Sequence, residues 1–268
     1  MIYALHGIVV SKSDTTMGHR NLVQKDKLKS FILRNKDDIG TIEDVIKHKK
    51  SMAFTIDDGT KASLECAQLF ANLNVPCIWF VNGKNIANDM PYSFAYLNEI
   101  MERCHDKILF CDKMIVFHDF HNKKRIRKEI KEFMHQYLCS EESRINFLCD
   151  LIIKNNITNF SIPMYAQQIN MNDILDLKGT SVLIQNHLWE HNFTDIEDVE
   201  SLKANITQGA EWLQNYFDYP IDKHALPYGL YSKNLKDCSA NGIIFLLDNN
   251  YNAGKILSNV YNRQPLKL

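Results

Sequence analysis

The 268-residue chain is predicted to fold as an α/β protein, an irregular TIM-like (β/α) barrel with a helical insertion in the middle of the chain. Three observations point there. Short β-rich apolar runs alternate with stretches of helical periodicity, the pattern of parallel strands joined by helical crossovers. The length suits one large core, for which an α/β barrel is a common architecture. The alternation gives way, between Asp89 and about Asn156, to what reads as several consecutive helices.

Taken in order, Ile2–Val10 is an apolar run read as a buried first strand, with His6 and Gly7 inside it. Ser51–Ile56 (SMAFTI) is a strand ending at Asp57-Asp58-Gly59, and Lys61–Leu73 carries its apolar residues at roughly helical spacing. Pro76–Val81 (PCIWFV) is the next strand and ends at Asn82-Gly83. In the insertion, Ser140 is placed as an N-cap ahead of Glu141-Glu142. Ser181–Gln185 (SVLIQ) resumes the strands. Asp195–Phe217 then sets Val199, Leu202, Ile206, Ala210 and Leu213 on one helical face, with Asp195, Glu197 and Asp198 as an acidic first turn. His224–Leu226 and Ile243–Leu247 (IIFLL) are the last runs. Residues 1–268 are thus read as a single domain with a helical elaboration at about 90–156.

Hydrophobic residues are 45% of the chain and charged residues 24%, so enough apolar surface exists to build a core and wide disorder is excluded. With 31 basic and 32 acidic side chains the net charge is -1, and no bulk charge imbalance points to nucleic acid or an anionic membrane. The one basic cluster, Lys123–Lys131 (KKRIRKEIK), reads as a solvated helix face. Cysteines at 66, 77, 104, 111, 139, 149 and 238 form no C-x-x-C pair and no zinc-ribbon spacing, which fits free thiols in a reducing compartment. No leader-like segment and no bilayer-length apolar run is seen, so a cytoplasmic location is expected.

Three motifs carry chemistry. Asp57-Asp58-Gly59 puts two acids at a strand's C-terminal end, where parallel α/β folds gather their sites and where burial needs a cation. An Asp-Gly turn alone would give the same letters. His187-Leu188-Trp189-Glu190-His191 is an H-x-x-x-H that would bring two imidazoles to one face of a helical turn, although it lacks the zincin Glu after the first His. Pro227-Tyr228-Gly229 is a rigid turn after a strand.

In this order the motifs resemble the polysaccharide deacetylase family, the NodB-homology carbohydrate esterases. TIDDGT (Thr55–Thr60) is similar to the family's T-F-D-D-G, His187/His191 to its H-[ST]-x-x-H, and ALPYG (Ala225–Gly229) to the F-A-Y-P-Y-G form of its third motif. The resemblance is good over about 51–90 and 170–248 and poor between. It implies that Asp58, His187 and His191 hold a divalent metal, zinc first with cobalt, nickel or manganese as alternatives. It implies Asp57 as general base and the Tyr228 backbone N–H as oxyanion donor. The expected activity is removal of an N-acetyl group from a sugar, on a nucleotide-linked or lipid-linked glycan of O-antigen or surface-polysaccharide synthesis. No nucleic acid is expected as partner; peripheral membrane contact is allowed, without a transmembrane segment. A formamido-sugar deformylase and a catalytically silent glycan-binding member of the fold are the alternatives.

Three departures from the pattern stand out. Leu188 replaces the Ser/Thr, Ala225 stands where many members have Arg, and no C-terminal Leu-x-His supplies an acid. Arg263 is the candidate substitute for the orienting Arg, and His6, His118 and His121 are the candidate acids.

Overall fold

His6-Gly7 breaks the first apolar run in two. Gly7 has φ +130°, and a Cβ there would lie 2.5 Å from the Ala62 carbonyl carbon, so only glycine lets the chain pass the following helix. Two strands result, β1 (Ile2–Leu5) and β2 (Ile8–Val9). β2 pairs with β3 (Val23–Gln24) in a small parallel pair, and α1 (Lys25–Arg34) and α2 (Ile42–Ile46) lead to β4 (Ala53–Ile56). Next come α3 (Lys61–Asn72), β5 (Cys77–Val81), α4 (Gly83–Ala87) and α5 (Ser93–Arg103). The insertion continues as β6 (Lys107–Phe110), β7 (Lys113–Val116), α6 (Phe120–Tyr137) and α7 (Glu141–Lys154). The chain ends with α8 (Met171–Leu175), β8 (Val182–Asn186), α9 (Val199–Gln214), β9 (Lys223–Ala225), β10 (Ile243–Leu246), β11 (Gly254–Leu257), β12 (Val260–Asn262) and β13 (Gln264–Pro265). This computed structural model describes residues 1–13, 15–229, 231, 242–247 and 254–268; Cys238 lies outside them.

Nine strands form one sheet in the order β11-β12-β10-β9-β8-β5-β4-β1-β13, parallel throughout except for the edge strand β11. The register brings Leu5 beside Ile56 and Val81 beside Asn186, so these strands reach their C-terminal ends at one level. β12 and β13 sit near opposite ends of that order, yet only Arg263 separates them in sequence. Consecutive Cα atoms are about 3.8 Å apart, so the sheet has to curl until its two sides meet at Arg263. The curled parallel sheet agrees with a barrel-like α/β reading, but the pairings among the described residues form no closed ring of ladders.

The predicted elements fall close to the observed ones, with three corrections. The insertion is not purely helical, because β6 and β7 form an antiparallel hairpin. Its turn residues Cys111 and Asp112 both have positive φ, 48° and 58°. That two-residue geometry favours Asn-Gly, and without it the hairpin signal is weak. Helix α9 begins later than predicted: Asp198 is its N-cap, accepting from Ser201 N (2.9 Å), so Asp195 and Glu197 precede the helix. The basic cluster is divided, Arg125 and Lys128 facing solvent while Arg127 and Lys131 are partly buried against a cleft.

Two apolar cores support these regions. The larger lies between the sheet and its helices, around Trp79, Phe54, Phe70 and Leu28. A second is built within the insertion, from Leu97, Ile100, Ile126, Ile130, Leu148 and Leu151, and among the described residues Met17 joins it from the N-terminal region.

Candidate metal centre

β4 is buried along its whole length and delivers Asp57 and Asp58 to the open end of the sheet. Asp57 continues the strand, its N–H donating to the Leu5 carbonyl (2.8 Å). Asp58 turns out of it with φ 69°, a left-handed conformation that Asp tolerates better than most residues. Its carbonyl accepts from Trp79 Nε1 (2.7 Å) and Ser63 Oγ (2.9 Å), which hold the turn. Thr60 and Ser63 close a capping box that starts α3 immediately afterwards. The acid pair is therefore set between a strand and a capped helix.

His187 leaves β8 with its N–H on the Val81 carbonyl (2.9 Å). Its Nδ1 lies 2.8 Å from the Ala225 carbonyl and donates to it, which leaves Nε2 as the bare nitrogen. That nitrogen is 3.4 Å from Asp58 Oδ1, and His191 Nε2 is 3.2 Å from the same oxygen. The three ligand atoms lie within 4.8 Å of one another, and all three residues are buried. They come together, but not by a helical turn as the i, i+4 spacing predicts. Residues 187–191 form a loop in which Leu188 takes φ 66°.

A leucine in that conformation is strained. Its side chain is fully buried against Leu202, Ile206, Leu226 and Ile244, and this burial offsets the strain. The loop does without the hydroxyl absent at 188. Asn82 Nδ2 donates to the His187 carbonyl, Lys84 N to the Trp189 carbonyl (2.9 Å), and Arg144 Nη2 to the His191 carbonyl (2.7 Å). Glu190, whose role the sequence leaves open, pairs with Lys84 Nζ (2.7 Å).

Beside this trio, Asp57 is held by Arg263. Nη1 meets Oδ1 at 2.6 Å and Nη2 meets Oδ2 at 2.8 Å, while Nη1 also donates to Thr55 Oγ1 (2.9 Å). Burial alone would raise the Asp57 carboxyl, but the Arg263 guanidinium, with His187 and His6 nearby, holds it below the usual carboxylate range. Burial of Asp58 is likewise outweighed, here by the two imidazoles of His187 and His191 set against it, and its carboxyl is held well below that range. His191 moves the other way: burial pushes its imidazole down despite Asp58, towards the neutral form that binds metal.

Tyr228 lines, with Asp57, Asp58, His187, His191 and His6, a cleft of about 680 Å³. Tyr228 takes φ 59° and Gly229 φ 70°, where a Cβ would lie 2.5 Å from the Leu247 carbonyl oxygen. Its ring stacks on Phe193 (centroids 4.3 Å apart) and meets His191 at 4.7 Å, so the turn is fixed against the His191 loop. Of the three candidate acids only His6 lines the cleft; His118 and His121 are exposed on the insertion.

The donor set fits a divalent cation: one carboxylate and two imidazoles converge, and a backbone carbonyl fixes the tautomer of His187. Sequence reasoning missed Arg144 and Glu141. Both are fully buried, paired at 2.7 Å, and they hold the His191 loop from behind. Helical periodicity gives no signal for such a pair.

No protein-family model matches the chain, and no curated protein matches it. Among solved structures it is similar to the Streptococcus pyogenes deacetylase PplD in complex with acetate, with 12% identity, 99% of this chain and 91% of that one covered, and a TM-score of 0.59. It is similar to a de-N-acetylase from Aggregatibacter actinomycetemcomitans, with 12% identity, 98% and 93% coverage and a TM-score of 0.54. The BpsB deacetylase domain from Bordetella bronchiseptica gives 12%, 99% and 94%, and 0.52. The chain thus has the fold of these deacetylases over nearly its whole length.

Proposed function

We propose that this chain is a metal-dependent N-deacetylase of the polysaccharide deacetylase family, acting on an N-acetylated sugar. The observation that carries the reading is the convergence of Asp58, His187 and His191 beside an Asp57 that Arg263 keeps charged. Shared fold with solved deacetylases supports it. A divalent cation, zinc first among the candidates, would supply Lewis acidity toward the acyl oxygen and lower the pKa of a water. Asp57 is the base that would take a proton from the attacking water. Its pairing with Arg263 keeps it ionised at the expense of basicity, so its proton affinity depends on the guanidinium. The Tyr228 backbone N–H, held in its turn, donates to the oxygen that gains charge in the tetrahedral state. His6, which lines the cleft near Asp57, protonates the departing amine. The pairing of Arg263 with Asp57 and the presence of His6 in the cleft lining favour the active reading over the catalytically silent one.

The substrate is inferred to be a nucleotide-linked or lipid-linked precursor of O-antigen or another surface polysaccharide, met in the cytoplasm. Scattered free cysteines support this, and no helix among the described residues is long and apolar enough to cross a membrane.

Metal analysis of the purified protein, followed by an acetate-release screen on N-acetylated sugars and sugar nucleotides, tests the reading. Asp57→Asn is expected to keep its metal and lose turnover about a thousandfold, while Asp58→Asn loses the metal as well. Unchanged turnover in Asp57→Asn would remove that residue from the mechanism.

A further inference from the structure

Helix α6 sorts its charges by face. Arg125 pairs with Glu129 at 2.5 Å and Lys128 with Glu132 at 3.3 Å, all on the solvent side. One turn apart on the other side, Arg127 and Lys131 line the cleft that holds the metal centre. No ion pair with a carboxylate is found for either among the described residues. Arg127 Nε donates to the neutral amide oxygen of Asn98 (2.7 Å), and Lys131 Nζ sits 4.6 Å from the Tyr228 ring centroid. Asp195, an acid whose charge reaches Lys131, is engaged by His135 Nε2 at 2.9 Å.

A second cavity of about 210 Å³ adjoins this wall, lined by Lys12, Ser13, Thr16, Arg20, Lys124 and Arg127 together with Met17. Four cations and two hydroxyl side chains face it and, among the described residues, no carboxylate does. Arg20, Arg127 and Lys12 line both cavities, which makes them the boundary between the two. The crowding is felt electrostatically. Burial first, then Arg20, brings Arg127 down to about 10; burial, then Arg127 and Arg20, brings Lys131 down to about 8. Partly desolvated like charges repel one another, and a bound anion would turn that repulsion into attraction. Paired arginines with nearby hydroxyls suit a phosphate, whose oxygens accept several charge-assisted bonds at once.

We propose that this wall, built from Lys12, Arg20, Arg127 and Lys131, binds a phosphate or diphosphate carried by the substrate. The proposal rests on the deacetylase reading for the word substrate, and on the basic wall alone for the anion. Four cations against two cavities call for more negative charge than a single sugar carboxylate brings. A diphosphate linking a sugar to a nucleotide or to a prenyl chain supplies it.

The test uses metal-loaded protein. Titration with inorganic pyrophosphate at moderate salt is expected to show binding that weakens about tenfold or more in Arg20→Gln/Arg127→Gln. Arg125→Gln/Lys128→Gln removes the same charge from the outer face of α6 and is expected to leave the affinity within about twofold. An affinity unchanged in the first variant, or an equal loss in the second, overturns the proposal. Acetate release is then compared for UDP-N-acetylglucosamine, farnesyl-diphospho-N-acetylglucosamine and a neutral N-acetylchitotriose. The kcat/KM ratio of diphosphate-linked to neutral substrate is expected to fall about tenfold in Arg20→Gln/Arg127→Gln, and whichever diphosphate is preferred identifies the source. A ratio that does not move overturns the proposal. Pyrophosphate binding that depends on the two arginines, with no acetate released from any sugar, would leave the anion site standing and sink the deacetylase reading.

Discussion

Two fully buried arginines flank the cluster of Asp58, His187 and His191 from different regions of the molecule. Arg263 comes from the seam between β12 and β13 and grips both oxygens of Asp57. Arg144 comes from α7 in the insertion; it pairs with Glu141 and reaches past it to the His191 carbonyl. The first acts on the charge of a group placed for chemistry. The second acts on the position of a loop that carries a metal ligand, and Glu141 extends the tie by accepting from Ser93 Oγ (2.8 Å) at the start of α5. The comparison teaches a division of labour: the sheet supplies electrostatics to Asp57, and the insertion supplies placement to the His191 loop.

The largest effect expected from breaking this comparison is at the seam. Arg263→Met leaves Asp57 buried and uncompensated, which costs about 3–5 kcal/mol of stability, read from denaturant melts. The pH dependence is expected to reverse sign. In the natural chain the folded Asp57 carboxyl lies below its ordinary 3.8. Its contribution to stability is therefore full above that value and is lost as pH falls through the folded pKa. Without Arg263 burial dominates, the folded carboxyl rises above its unfolded value, and the variant regains stability relative to the natural chain on acidification. The acidic limb of its kcat profile moves to higher pH while metal affinity stays. An unshifted limb would separate Asp57 from the proton transfer.

Arg144→Met should lose somewhat less stability, about 3 kcal/mol, by stranding Glu141. What distinguishes it is metal affinity, expected to fall about tenfold because the His191 loop loses its anchor. Glu141→Gln/Arg144→Met removes the stranded charge and is expected to recover much of the stability and none of the metal affinity. Metal affinity equal to that of the natural chain in both variants would reduce Arg144 to a packing role.

The same division explains what could be read from the sequence. β4, β5 and β8 are short apolar runs ended by polar turns, and burial on both faces leaves that signature unmistakable. Asp57, Asp58 and His187 are legible as residues that follow such strands, His191 by its spacing from His187, and Arg263 only through the arginine that the resemblance leaves missing. The conformation of Leu188 was not, because its φ is imposed by tertiary burial that local propensity does not encode. The hairpin of β6 and β7 was hidden by a turn that opens on Cys111, a residue seldom left-handed, and that lacks the Asn-Gly signal. The basic run on α6 read as solvated because periodicity identifies an apolar face and cannot tell open solvent from a cleft.

The smallest effects ask whether the two regions are one folding unit. Asp119 caps α6 in the insertion, accepting from Asn122 N at 2.6 Å, and Asp198 caps α9 on the sheet, accepting from Ser201 N at 2.9 Å. Either residue changed to Ala is expected to cost about 1 kcal/mol. The insertion has its own apolar core, but Met17 enters that core from the N-terminal region, and Arg144 and Glu141 tie it to the metal loop and α5. Breaking those ties exposes buried charge, so opening the insertion alone is expensive. Asp119→Ala and Asp198→Ala should therefore shift one and the same thermal transition, by amounts that add in the double variant because the sites share no partner. If Asp119→Ala instead splits off an early transition seen by hydrogen exchange in α5 to α7 only, the insertion is a separate cooperative unit, and its placement of His191 would be adjustable independently of the sheet.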